Sequence, residues 1–204
     1  MLGFGKTPEQ KFWHWFNQHE SELFDFELDQ ERIFDQLSSE LQKINPSLTF
    51  EFGPQKVGRE FVVSADGIKS AFPAVVSLVN AAPKLDRWQV IAFRPRRTPI
   101  SRVEIRDKKV DPEEVQFSLL DNGKIAGIHL FIPGFREEDS DWKLIGYLLL
   151  DEALGEYDVE ERLGLIKILP ADTRIEWERH PLAELPSAFD KLVARLEGRS
   201  QKSS

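Results

Sequence analysis

The side chains best suited to chemistry in this chain are a run of arginines near its middle. Nine bases and three acids lie between residues 84 and 109, and Arg94, Arg96 and Arg97 directly follow an apolar segment, with Arg102 close behind. Guanidinium groups bind phosphates and carboxylates through paired hydrogen bonds. Pro95 cannot donate to a sheet, so we expect the chain to leave its strand here and turn the arginines toward solvent or a cleft mouth. The segment predicts an anion site or a contact with an acidic partner, and a solvated loop without a role is the alternative.

The four histidines do not follow a metal-binding pattern. His14 and His19 are five residues apart, which places them about 140° apart on a helix. His19 lies on the apolar face, where we expect a hydrogen-bonded core histidine. A two-residue turn at Asn122-Gly123 would place Gln116 opposite His129. This polar pair indicates either a pocket, with an enzyme site near His129, or a solvated sheet face.

Acidic residues are also clustered, without the spacing of a known metal site. Ten acids and three bases lie between residues 134 and 162, and acids at helix starts are favoured by the helix dipole. The chain has no cysteine, which excludes thiolate zinc sites, iron–sulfur clusters and cysteine nucleophiles. Phosphate-loop, dinucleotide-binding, GxSxG and HExxH motifs are missing. We therefore expect neither a metal nor a cofactor.

Composition indicates a soluble globular protein. The chain has 204 residues, 41% of them hydrophobic and 30% charged, and a formal net charge of −8, which is ordinary for a globular chain except for its acidity. No apolar run is long enough to cross a bilayer, and the N-terminal residues have no apolar signal core. These features predict a cytoplasmic protein without membrane contact. The net charge disfavours nucleic acid as a partner.

Hydrophobic spacing predicts an α+β fold. The expected order is helix, helix, two strands, helix, four strands, helix, strand and helix, with a largely antiparallel sheet of six to seven strands. Two tandem helices open the chain, the first capped at Thr7-Pro8. The segment Trp88–Phe93 is apolar on both faces except at Gln89, which predicts a central strand. We expect one domain over residues 1–198 and a disordered polar tail over residues 199–204.

Several segments resemble those of a family of uncharacterised bacterial proteins, which are soluble chains of about this size. The resemblance is carried by the Trp/Phe-rich opening and the middle of the chain: FWHWFNQHESELFDFELDQERIFDQL (12–37), LTFEFGP (48–54), GREFVVSADGIKSAFPAVVSLVNAAPKLDRWQVIAFRPRR (58–97) and LLLDEALGEYDVEERLG (148–164). It implies a conserved bacterial protein and transfers no activity, cofactor or catalytic residue to this chain.

Three functional classes follow from these patterns. A non-catalytic interaction or regulatory domain, which binds a protein partner or itself, is favoured by the missing catalytic motifs, by the segregated charge and by Trp13, which lies about 100° off the main apolar stripe of its helix. The alternatives are a protein that binds a small anionic ligand through Arg94–Arg102 and an enzyme with an unrecognised site near His129.

Overall fold

The hydrophobic residues of the chain form two cores. A computed structural model describes residues 5–174 and 176–202, with side chains described no further than residue 199. Two compact units result, one ending at Arg94 and the other beginning at Pro95, and we call them unit 1 and unit 2. The buried apolar residues of each unit form a cluster of their own. The predicted domain over residues 1–198 therefore contains two hydrophobic clusters.

Unit 1 consists of helices and a small mixed sheet. Its helices are α1 (Pro8–Gln18), α2 (Glu20–Phe24), α3 (Gln30–Gln42) and α4 (Phe72–Asn80), and its strands are β1 (Thr49–Phe52), β2 (Arg59–Ser64) and β3 (Trp88–Ala92). The predicted capping box is present, because the side chains of Thr7 and Gln10 each accept a hydrogen bond from the other residue's backbone N–H. The chain breaks at His19, so the first predicted helix is two helices, α1 and α2.

The strand order of unit 1 differs from the prediction. β2 is central, antiparallel to β1 and parallel to β3, so the predicted central strand at Trp88–Phe93 is an edge strand. The aromatic core explains the order, because Phe61 on β2 packs against Phe12 and Phe16 of α1. Trp13 is buried too, and its indole N–H donates to the carbonyl of Leu78 at 2.8 Å. Trp13 is therefore a core residue and presents no aromatic surface.

Unit 2 contains a hairpin, a four-stranded sheet and three helices. Its strands are β4 (Val103–Ile105), β5 (Lys108–Val110), β6 (Gln116–Asp121), β7 (Ala126–Ile132), β8 (Leu163–Pro170) and β9 (His180–Pro181), and its helices are α5 (Ser140–Leu154), α6 (Glu156–Arg162) and α7 (Leu185–Lys202). The sheet order is β8-β7-β6-β9, with β8 parallel to β7. The α+β class is confirmed. The expected single sheet of six to seven strands is instead three sheets of three, two and four strands, since each core is covered by its own strands.

The hairpin between β6 and β7 is present with a longer loop than predicted. The last pair is Asp121 with Ala126, so four residues form the loop. The side-chain oxygen of Asn122 accepts hydrogen bonds from the N–H groups of Lys124 and Ile125, which stabilises the wider turn. The register shifts by two residues, and each side chain therefore stays on its predicted face.

Helix α7 continues past the predicted end of the folded chain. It runs to Lys202, so residues 199–202 are helical rather than part of a disordered tail. The guanidinium of Arg199 donates to both carboxylate oxygens of Asp121, at 3.0 and 2.9 Å, and this contact holds the helix beyond Gly198. Residues 203 and 204 lie outside the described residues.

None of the helices in the described part of the chain has the length and apolar character that crossing a membrane requires.

Candidate functional site

Arg94 is part of the packing of unit 1. Strand β3 ends at Ala92, and Phe93 adopts a positive φ of 65° just before Pro95, so the chain leaves the sheet where we predicted. The side chain of Arg94 is only 15% exposed and forms ion pairs with Glu51 and Asp66. Burial opposes its charge, but hydrogen bonds to these two acids outweigh burial and raise the pKa of Arg94. Of the two expected directions, solvent or a cleft mouth, the small exposed fraction of Arg94 does not fit solvent.

Arg96 connects three helices of unit 2. Its Nε donates to the carbonyl of Leu154 at 2.8 Å, at the end of α5. Its Nη2 donates to Asp158 of α6 at 2.7 Å, and the two Nη atoms contact both carboxylate oxygens of Asp190 on α7 at 3.0 and 2.9 Å. All three guanidinium nitrogens of Arg96 therefore donate to groups of the protein itself. This indicates a structural role for Arg96 rather than the predicted role in anion binding.

Arg97 and Arg102 line the same cavity. The segment is fixed to α5 through Glu152, whose carbonyl accepts from the N–H of Arg97 at 2.7 Å and whose carboxylate accepts from the N–H of Ser101 at 3.1 Å. The cavity has a volume of about 620 Å³, which is within the usual range for small-molecule sites. We call it the proline pocket.

The walls of the proline pocket are mainly apolar and rigid. Four prolines contribute, and their rings fix the backbone φ angle. The apolar lining residues are Pro99, Ile100, Pro112, Pro181, Ala183 and Pro186. The backbone behind them is held by the pairing of Pro181 with Gln116 and by a hydrogen bond from the N–H of Leu182 to the carbonyl of Val115 at 2.9 Å. The pocket is therefore shaped before any ligand enters.

The rim of the proline pocket carries two arginines and two carboxylates. Arg102 donates from Nη2 to Asp111 at 2.9 Å, and its side chain is 48% exposed. The hydrogen bond lowers the pKa of Asp111 and raises the pKa of Arg102, so both remain charged near neutral pH. Asp111 also accepts from the N–H of Glu113 at 3.1 Å, which fixes its orientation. The guanidinium of Arg102 has further N–H groups that are open to a ligand at the rim.

His129 is placed differently from the prediction. It lies opposite Ser118, whereas Gln116 pairs with Phe131 and is exposed. His129 is 2% exposed, and neither ring nitrogen has a hydrogen-bond partner among the described residues. The ring of Trp177 covers it at 4.5 Å between centroids. Burial, followed by the charge of Lys167, lowers the pKa of His129 and favours the neutral ring.

The surroundings of His129 do not supply a catalytic arrangement. The Ser118 hydroxyl donates to the carbonyl of Glu178 at 2.5 Å, so it does not point to the imidazole as a nucleophile would. A catalytic base needs the substrate within hydrogen-bond reach, and the strand and Trp177 enclose this ring. The predicted pair of Gln116 and His129 is not formed.

Two acids of the cluster between residues 134 and 162 form a helix cap and ion pairs. Asp139 caps α5, and Asp141 pairs with Arg106 and Lys108. Within residues 5–174 and 176–202, no three histidine, aspartate or glutamate side chains come close enough together to hold a metal ion.

Sequence reasoning missed the apolar part of the proline pocket. Pro112 precedes β6, whereas Pro181 ends β9 and Pro186 lies in the first turn of α7, about 70 residues further along the chain, and nothing in their local spacing indicates that they meet. Proline at these positions indicates a rigid backbone but does not identify neighbours.

Comparisons with protein-family models, with curated proteins and with solved structures found no match to this chain. The resemblance to uncharacterised bacterial proteins therefore stays a prediction.

Proposed function

We propose that this is a non-catalytic binding protein whose proline pocket takes a small monocarboxylate with an apolar body. The observation that carries the proposal is that Arg97 and Arg102 share the rim of a mainly apolar pocket of about 620 Å³. Apolar walls favour a ligand body that leaves water, and a guanidinium favours a carboxylate head.

The charge of the rim selects the head group. Arg97 and Arg102 are balanced by Asp111 and Glu113, so the rim is neutral overall. A doubly charged phosphate would meet two carboxylates as well as the arginines, whereas a singly charged carboxylate requires only the open side of one guanidinium. The lining residues include no histidine, serine or lysine, and this favours binding over catalysis.

Composition supports a proposed cellular location and excludes one class of ligand from the proposal. We propose a cytoplasmic location because the chain uses no cysteine and disulfides belong mainly to oxidising compartments. Nucleic acid is not among the proposed ligands, since a net charge of −8 repels a polyanion.

The experiment is calorimetric titration of the protein with octanoate, octanamide, octyl phosphate and acetate. Octanoate is expected to bind, and the other three, which lack the single charge or the apolar body, are expected to bind at least about tenfold more weakly, a difference of about 1.4 kcal/mol. If octanamide or octyl phosphate binds as tightly as octanoate, the carboxylate assignment is wrong.

Two variants locate the site. Arg102→Gln removes the head-group contact, and Ala183→Trp fills the pocket without altering an arginine. Each is expected to weaken octanoate binding about tenfold or more. Arg102→Gln loses a hydrogen bond to a charged group, which contributes about 1.5–3 kcal/mol, and Ala183→Trp occupies the space of the apolar body. Arg106→Gln is the matched control, because Arg106 pairs with Asp141 outside the pocket. Unchanged binding in both pocket variants would overturn the proposal.

A further inference from the structure

The outer edge of the unit 2 sheet is a long strand with one neighbour. β8 runs for eight residues, Leu163–Pro170, and pairs only with β7 among the described residues. Strands usually have five or six residues, and an edge strand presents N–H and C=O groups that another chain can pair with.

The side chains along this edge are apolar on both faces of the sheet. Leu165 is 41% exposed on the face that carries Trp177, itself half exposed. On the other face, Ile166 and Ile168 border a groove of about 680 Å³, together with Tyr147 of α5. Protected edges usually carry several charges, whereas Lys167 is the only charged residue of β8. A register shift at Gly164 interrupts the start of β8, and the strand is regular from Leu165 to Pro170.

The groove has a fixed shape because α5 packs closely on β8. A Cβ placed on Gly146 would lie 2.4 Å from the terminal methyl of Ile168, so the α5 backbone at Gly146 packs directly on the Ile168 side chain. Tyr147, one residue further along α5, then stands beside the open edge and forms the second wall of the groove.

Charge identifies the occupant. Lys167 on β8 and Lys143 on α5 both line the groove, and neither has an ion pair among the described residues. A second copy would place its own Lys167 near this one, since β8 contains no acid, and like charges on adjacent strands are destabilising. An acidic side chain on the incoming strand, on the face of Lys167, would compensate that lysine.

We propose that the β8 edge binds an extended segment of a protein partner, with apolar residues at alternate positions and an acidic residue facing Lys167. The segment adds a fifth strand to the sheet, and its backbone pairs with β8. Its apolar side chains contact Tyr147 in the groove, and its acidic side chain lies on the opposite face beside Lys167. This surface is separate from the proline pocket, and the inference does not depend on the proposed ligand.

The test uses labelled nine-residue peptides that alternate threonine and valine, with threonine at both ends, so that the central residue lies on the face opposite the valines. Binding is followed by fluorescence anisotropy. One peptide has a central glutamate, a second has a central lysine, and a third is the glutamate peptide with alternate amides N-methylated. The glutamate peptide is expected to bind about fivefold or more tightly than the lysine peptide, as cross-strand charge pairs allow. The methylated peptide is expected not to bind, because it cannot donate to the ladder.

Charge reversal assigns the contact to one residue. Lys167→Glu changes an exposed side chain and is expected to reverse the preference in favour of the lysine peptide, whereas Lys124→Glu in the hairpin loop is the matched control and retains the original preference. If neither peptide binds, or if Lys167→Glu leaves the preference unchanged, the proposal is overturned. A wild-type dimer in light scattering that the glutamate peptide dissociates would also overturn it, because the edge would then belong to a second copy.

Discussion

Replacing Arg96 tests whether an arginine predicted to bind anions instead holds unit 2 together. Arg96→Gln removes the positive charge and the fork that contacts α5, α6 and α7. We expect unit 2 to lose stability while the proline pocket keeps its lining, because Arg96 is not among the pocket residues.

The size of the loss follows from the exposure of each partner. Asp190 is 59% exposed, so its pair contributes about 0.5 kcal/mol. Asp158 is 19% exposed, and its pair contributes about 1 kcal/mol as a partly shielded interaction. The Leu154 carbonyl loses its side-chain donor, at about 0.5–1 kcal/mol. The free energy of unfolding should fall by about 2 kcal/mol, equivalent to about 4–8 °C in Tm.

The assay is urea unfolding together with differential scanning calorimetry, and Arg102→Gln is the control. Arg102 has one carboxylate contact between two partly exposed side chains, so its replacement should cost less stability than that of Arg96. If Arg96→Gln destabilises the protein no more than Arg102→Gln does, the structural role of Arg96 is refuted.

Three further predictions concern buried groups. Because burial lowers the pKa of His129, the unfolded state binds its proton more readily, and the free energy of unfolding should fall as the pH drops below about 6.5, by up to about 1.4 kcal/mol per pH unit. His129→Phe should remove that slope in urea titrations from pH 7 to 5, and an unchanged slope would contradict the assignment. Gly146→Ala should destabilise the protein by about 1 kcal/mol through overpacking on Ile168, and Ile168→Val should rescue it in the double variant. Trp13→Phe should cost about 1–3 kcal/mol, since the carbonyl of Leu78 loses its buried donor; a neutral effect would contradict the core placement.

Local sequence signals predicted the positions of helices and strands better than they predicted which of these elements pack together. Thr7-Pro8 predicted the start of α1 because a capping box is formed by residues three apart. The Asn122-Gly123 signal predicted a hairpin, but the hydrogen bonds of the Asn122 side chain set its register. An apolar run predicted β3 as a strand, yet its place at the sheet edge depends on the packing of Phe61 with α1, which spacing alone does not reveal.

The arginine segment shows the same limit for function. Its residue types predicted ion pairing or anion binding, but the acids that engage Arg96 lie 62 and 94 residues further along the chain. Arg102, whose partner Asp111 is nine residues away, keeps an exposed guanidinium at a pocket. Tertiary contacts therefore decide which arginines remain available to a ligand.

The most direct test of the proposed function is a crystal structure of the protein grown with 8-bromooctanoate, with the bromine located by anomalous scattering. We predict a bromine peak among the proline walls and carboxylate density within hydrogen-bond distance of Arg102. Density for the ligand elsewhere on the protein, with the proline pocket holding only solvent, would contradict the account.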